Sequence, residues 1–372
     1  MNQSIPYKEY FRKYRSNTLA STSNNDTLFF KEEKTVTGRL YYKVRKSGKY
    51  NYRFLFSNIA DSTFAAGENS RANLVGGEYE FLSAFAGNSE TADNASLSAD
   101  TLQKVTFDHQ IGRHVGEGEV YWSDEVELDI KEGQYLVFEW TVRGKCFPYT
   151  PDKLIPAFVM DENGGYRASC DFPQPQLVGC DADFEKNILF LGDSITMGCG
   201  TTVDGYNFWA AHIARGLGET CSMWNIGLGY GRAQDAASDG IWLEKARQYD
   251  RAVVCLGVND ILQGRNAEQI KNDLTVITDS LKNAGVSVCI FTLPAFNWEG
   301  EHRNTWDDVN RYIREVLAER TDAWFDMATV SGNSENRYAS LDPRNGHPTD
   351  EGCAYIGQKF LEQYKSMELF RK

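Results

Sequence analysis

NILFLGDSITMGCG, Asn187–Gly200, is the stretch on which the reading of this chain turns. Asn187 leads into Ile188, Leu189, Phe190 and Leu191, an apolar run of the length and composition of a short buried strand. The run breaks at Gly192-Asp193-Ser194, where small and turn-forming residues replace apolar ones. A serine at the tip of a core strand is a hydroxyl on a rigid support, which is where a nucleophile is useful.

Downstream, apolar runs alternate with helical periodicity. Runs at 221–228, 251–256, 286–293 and 323–327 read as strands, with helices around Phe208–Leu217, Ala233–Gln248 and 267–283 between them. In 267–283, Ile270, Leu274, Ile277 and Leu281 form one buried stripe. Thr305-x-x-Asp308 is a capping signal for a helix carrying Trp306, Val309, Ile313 and Leu317. Thr349 can cap a last helix with Ile356, Phe360 and Tyr364. Five apolar strands joined by helices make a three-layer α/β unit around a parallel sheet. Such sheets place their working crevice at the carboxyl ends of the strands. Ser194, Gly229 and Asn259 all follow such ends, so periodicity alone gathers them.

Upstream the period is two. Leu40, Tyr42 and Val44 alternate with more polar positions, as do Tyr50, Tyr52, Phe54 and Phe56, then Val126, Leu128 and Ile130, then Leu136, Phe138, Trp140 and Val142. Close turns at Ser47-Gly48 and Glu132-Gly133 separate the runs, which predicts an antiparallel β-sandwich. Asp61–Asn73 and Gly87–Ala99 read as loops. Residues 143–184 hold five prolines and no period, and the junction falls near Asp171–Phe184. The expected organisation is an N-terminal arm over 1–30, with a short helix around Tyr7–Tyr14. A sandwich over 31–178 and an α/β domain over 179–372 follow.

Four blocks now line up in order: Gly192-Asp193-Ser194, Asn225-Ile226-Gly227-Leu228-Gly229-Tyr230-Gly231, Gly257-Val258-Asn259-Asp260 and Asp342-Pro343-Arg344-Asn345-Gly346-His347-Pro348. Their order and spacing resemble the SGNH (GDSL-type) hydrolases, whose blocks carry Ser, Gly, Asn and His. The resemblance covers the second half of the chain and implies a flavodoxin-like three-layer fold and a serine esterase. The stretches RFLFSN and EGEVYWSDEVELDI loosely resemble the β-domain that precedes the hydrolase in some bacterial carbohydrate esterases.

A serine hydroxyl needs a base, and imidazole has the right pKa. Of five histidines, His109 and His114 fall in the β-region and His212 within a helix; His302 lies in a Trp/Glu/Arg-rich loop. His347, in a Gly-His-Pro turn at the Ser194 end of the sheet, is the expected base. The family's orienting acid normally precedes the histidine by three residues, where this chain has Arg344. Asp342 is carried as the orienting acid, the alternative being a backbone carbonyl behind a Ser–His dyad. Oxyanion donors are expected from the Ser194 N–H, a glycine N–H and the Asn259 side chain. The family's glycine register falls on Tyr230, flanked by Gly229 and Gly231; Gly229 is the expected donor. Trp298, Glu299 and His302 are candidates for the substrate rim.

Composition narrows the rest. With 52 acidic and 39 basic residues the net charge is −13, which argues against nucleic acid as a partner. Aromatics at 13% suit a β-rich core. The opening MNQSIPYKEYFRKYRSN has no apolar signal region, and no run is long enough to span a bilayer. Eight scattered cysteines without a C-x-x-C pair read as reduced thiols in a cytoplasmic protein. Gly227-x-Gly229-x-Gly231 lacks the third glycine of a dinucleotide fingerprint, and Ser194 lacks the G-x-S-x-G elbow of α/β-hydrolases. No cofactor or metal is expected. The expected activity is hydrolysis of small acyl esters, acetyl above all, on carbohydrate. The alternatives are a lipid or thioester acyl hydrolase, or an inactive carbohydrate-binding or assembly protein. Self-association through the β-domain is a further expectation.

Overall fold

The computed structural model describes residues 5–63, 72–92, 97, 99–151, 154–296, 298–332 and 346–364. The first half builds two antiparallel sheets. One runs β1 (Arg15–Ser16), β14 (Leu177–Cys180), β3 (Gly48–Ser57), β10 (Val126–Ile130), with β9 (Val120–Trp122) also on β3. The other runs β13 (Tyr166–Ala168), β12 (Ala157–Met160), β2 (Asp26–Lys43), β11 (Tyr135–Tyr149), β6 (Tyr79–Ser89), β7 (Gln103–Lys104), with β8 (Arg113–Val115) on β6. A short pair, β4 (Ile59–Ser62) and β5 (Ala72–Val75), stands apart. The alternation read from the sequence points one set of rings inward from each sheet. Phe54 and Phe138 meet at 4.4 Å, Phe56 and Phe81 at 5.2 Å, and Trp140 and Phe172 at 5.0 Å. Rings in this range gain contact energy beyond simple area burial.

Two stretches expected as loops contain strands. β4 is buried at all four positions and so shows no alternation. β6 pairs with β11 across an irregularity between Thr141 and Val142, which shifts the phase of its buried positions mid-strand. The expected division between 178 and 179 falls inside β14, a strand of the first sheet.

The N-terminal stretch expected as an arm is a strap built into both halves. Its helix, α1 (Tyr10–Lys13), is shorter than the expected Tyr7–Tyr14 and stacks Phe11 on Trp224 at 5.5 Å. β1 pairs with β14, and residues 16–20 and 22–25 are buried although mostly polar. Their polarity signals backbone partners, not exposure: each hydroxyl or amide that is buried must find a hydrogen bond.

The second half is a five-stranded parallel sheet. It comprises β15 (Lys186–Gly192), β16 (Cys221–Asn225), β17 (Arg251–Cys255), β18 (Ser287–Phe291) and β19 (Ala323–Phe325), in the order β16-β15-β17-β18-β19. Its strands are buried on both faces, as the continuous apolar runs imply. The order reverses at β15, so the crevice lies between the ends of β15 and its neighbours. Around it pack α2 (Ser194–Met197), α3 (Trp209–Gly216), α4 (Ala233–Ala237), α5 (Ile241–Ala246), α6 (Val258–Leu262) and α7 (Ala267–Asn283), followed by α8 (Gly300–Tyr312) and helical turns to Arg320. A short α10 (Met327–Val330) and α11 (Asp350–Gln363) complete the layer, α9 being the turn Ala318–Arg320. Ile270, Leu274, Ile277 and Leu281 of α7 are fully buried, and Asn266 caps the helix by accepting from the Gln269 N–H.

Helix boundaries depart from expectation in two places. The expected Thr305 cap lies inside α8, because the polar turn Gly300–Asn304 is helical without contributing an apolar stripe. The helix expected over 233–248 is two helices. Asp239 at φ +57° and Gly240 break it, and Asn73 of β5 sits where a Gly240 side chain would be and accepts from the Ile241 N–H at 3.1 Å.

No helix among the described residues is long and apolar enough to cross a membrane.

Candidate active site

β15 delivers Ser194. Gly192 ends the strand where a Cβ would lie 2.0 Å from Thr196 Oγ1 and 2.9 Å from the Cys255 carbonyl, so only glycine lets the chain turn here. Asp193 caps the helix, its Oδ1 accepting from the Ile195 N–H at 2.9 Å. Ser194 opens α2 and stays half-buried, with its side chain at the crevice.

His347 reaches it from the far end of the chain: His347 Nε2 and Ser194 Oγ are 2.8 Å apart across 153 residues of sequence. Its loop is held from three sides. Gly346, at φ +79°, lies against the Phe296 ring, and Gly200 leaves room for the His347 Cβ. Asp350 accepts from the Thr202 N–H at 2.7 Å and the Asn207 amide at 2.8 Å, tying the start of α11 to the loop after α2. Thr349 caps α11 as expected, accepting from the Gly352 N–H at 3.3 Å. The Asp350 tether is not foreseen in the sequence, where nothing local links it to Thr202 and Asn207.

The second and third blocks close on each other. Asn225 donates to the Thr196 carbonyl at 3.0 Å and accepts from the Gly227 N–H at 2.9 Å, seating the glycine turn against α2. Asn259, in the first turn of α6, donates to the Gly231 carbonyl at 3.0 Å. Asp260 accepts from the N–H groups of Ala233 (2.7 Å) and Gln234 (3.3 Å) and pairs with Arg265 at 2.7 Å, so the third block also anchors α4. In the turn, the Gly227 N–H is bound by Asn225, the Leu228 N–H by the Gly192 carbonyl, and the Gly231 N–H by the Leu228 carbonyl. Residues 229 and 230 are the candidates for a donor facing the crevice.

Asp342 and Arg344 lie outside the described residues. His109 is exposed, His114 pairs with Glu80 at 2.8 Å, and burial and then the Arg215 charge push the pKa of His212 on α3 down. Trp298 belongs to the core instead of a rim: it is 6% exposed and stacks on Phe296 at 5.0 Å, whereas Glu299 and His302 are exposed.

Asp193 is the electrostatic oddity. Burial pushes its carboxyl up to about 7; the Ile195 hydrogen bond opposes this and the Asp260 charge adds to it. Its Oδ2 is buried without a hydrogen-bond partner. No three His, Cys, Asp or Glu side chains among the described residues cluster as a metal site would require, and none of the eight cysteines is in a disulfide.

Residues 190–355 match the GDSL-like Lipase/Acylhydrolase family model. This segment is a GDSL-like lipase/acylhydrolase domain. The family is one of carboxylic ester hydrolases, and within the matched segment Ser194 and His347 are in contact. Solved structures similar to it include a G-D-S-L lipolytic protein from Veillonella parvula DSM 2008 (21% identity, TM-score 0.43), covering 49% of this chain and 99% of that one. Another, a putative lipolytic protein of the same family from Desulfitobacterium hafniense DCB-2, is 20% identical with a TM-score of 0.41 and covers 48% and 99%. A carbohydrate acetylesterase from Sinorhizobium meliloti is 15% identical with a TM-score of 0.39, covering 49% and 100%. None of the curated proteins compared with the chain matches it.

Proposed function

We propose that the chain is a serine esterase that cleaves small acyl esters, with acetyl on carbohydrate as the preferred class. The single observation that carries this reading is the 2.8 Å contact between His347 Nε2 and Ser194 Oγ. His347 takes the Ser194 proton as the oxygen attacks the ester carbonyl, then returns it to the leaving alcohol. Asn259, the Ser194 N–H and a backbone N–H of the 229–230 turn hold the oxyanion. Water then releases the acyl group by the same route in reverse. Asp342 or a backbone carbonyl orients His347. The first half is read as a β-sandwich accessory domain that rigidifies this site, in a cytoplasmic enzyme.

Wild type and Ser194→Ala are compared on p-nitrophenyl acetate. The reading predicts that the variant loses roughly 10³-fold or more in kcat/KM. Equal rates would remove Ser194 from the chemistry, and an inactive wild type would favour a binding or assembly role. A series from acetate to decanoate separates the sugar-ester reading, which predicts a decline with length, from the lipid or thioester hydrolase.

A further inference from the structure

The strap at the N-terminus lies along the outer edge of β16, opposite to β15 and Ser194. Ser21 bridges Asn225 in parallel, and the Thr22 N–H donates to the Asn225 carbonyl at 3.1 Å. Side chains then take over: Ser23 Oγ donates to the Ile226 carbonyl at 2.9 Å, Ser21 Oγ to the Gly227 carbonyl, and Asn25 Nδ2 to the Gly229 carbonyl. The strap is itself fixed from behind, with the Asn25 N–H on the Tyr149 carbonyl at 2.9 Å and Thr150 Oγ1 on the Ser23 carbonyl. Ser23 and Asn25 are each 1% exposed.

We propose that Asn25 is a positioning residue of the esterase site, aiming the backbone N–H of Tyr230 at the oxyanion. The inference rests on the reading of Ser194 as nucleophile. Two geometric facts carry it. First, the inner edge of this segment is a ladder of period two: the Ile226 N–H donates to the Phe190 carbonyl at 2.9 Å and the Leu228 N–H to the Gly192 carbonyl at 3.1 Å. Continued by the same step of two, that register brings Tyr230 to Ser194, whose own carbonyl is taken by the Gly198 and Cys199 N–H groups. Second, a trans peptide directs its N–H opposite to its C=O. The Gly229 carbonyl and the Tyr230 N–H share one peptide plane, so holding that carbonyl outward on Asn25 turns the N–H inward, toward Ser194. Tyr230 sits at φ +60°, a backbone conformation that a non-glycine residue keeps only when its surroundings impose it. This is also the position where the family register calls for glycine. The strap therefore supplies from the first half of the chain what glycine supplies by its own freedom.

The test uses the full-length chain with Asn25→Ala and Asn25→Asp. Active sites are counted by stoichiometric inactivation with a p-nitrophenyl phosphonate, and kcat per titrated site is measured on p-nitrophenyl acetate, so unfolded protein does not enter. Each variant is expected to lose roughly 10- to 100-fold in kcat with KM within threefold. Affinity for a trifluoromethyl ketone, whose adduct carries the oxyanion, is expected to fall by the same factor. N25D keeps the shape of the side chain and removes its donor, so it should lose at least as much as N25A. A kcat per site within twofold of wild type, a loss confined to KM, or N25D matching wild type while N25A fails would overturn the proposal. Wild type and Ser194→Ala turning over equally would overturn the esterase reading as well, whereas an active wild type with unaffected Asn25 variants overturns the strap's role alone.

Discussion

Asp193→Asn should make stability depend on pH in a way that can be worked out in advance. In the folded protein burial holds the Asp193 carboxyl at about 7, against 3.8 when unfolded. Between these values the folded state binds the extra proton, so stability that is full below about pH 4 is lost as pH rises through about 7. Three pH units at about 1.4 kcal/mol each put the loss at about 4 kcal/mol. Asparagine keeps the cap, because its carbonyl oxygen can still accept from the Ile195 N–H, which Asp193 now holds at 2.9 Å. It cannot ionise, so it escapes the loss. Its amide would occupy the place of Oδ2, which has no partner, and that adds a pH-independent cost of about 1–3 kcal/mol. The stability difference, variant minus wild type, should therefore climb by about 4 kcal/mol between pH 4 and pH 8, whatever its offset. Urea unfolding followed by tryptophan fluorescence at half-unit pH steps reads that difference directly. A difference flat to within about 1 kcal/mol would refute the argument that an ionised Asp193 is what the fold resists.

Two further substitutions probe the frame around the site. Lys245 and Asp61 form an ion pair at 2.6 Å between the two halves, with side chains 1% and 0% exposed. Lys245→Met strands the Asp61 carboxyl and should cost about 3–5 kcal/mol in urea unfolding at pH 8, and less as the pH falls, because burial pushes the Asp61 carboxyl up; a cost under about 1 kcal/mol would show the pair to be dispensable. In Gly346→Ala the new Cβ would lie 2.2 Å from Phe296, at φ +79° and next to His347. A tenfold or larger fall in kcat/KM is expected, with Gly133→Ala, at φ +83° and with nothing within 4 Å, retaining full activity as the control for backbone strain alone.

What could be read before folding follows from local physics. Alternation with period two, rings at Tyr52, Phe54 and Phe56 on one face with Asn51, Arg53 and Leu55 on the other, is enough to foresee an antiparallel sheet. Unbroken apolar runs such as Ile188–Leu191 foresee a buried parallel one, since a strand covered on both faces has no polar side to show. Strand ends then mark the crevice, and a hydroxyl, an amide and an imidazole after such ends suggest acyl transfer. The contact of His347 with Ser194 agrees with that reading. The strap was illegible for the opposite reason. Ser21–Asn25 is polar, and Ser21, Ser23 and Asn25 donate to carbonyls more than 200 residues away; polarity without a period reads as exposure when partners are unknown. β4 hid in the same way, buried on both faces, and the break in the 233–248 helix depends on Asn73 arriving from another sheet. Local sequence determines which segments can be strands, helices and caps, because those preferences act over a few residues. Which peptide N–H faces the nucleophile is decided only when distant carbonyls and amides meet, because its orientation is held from outside its own segment.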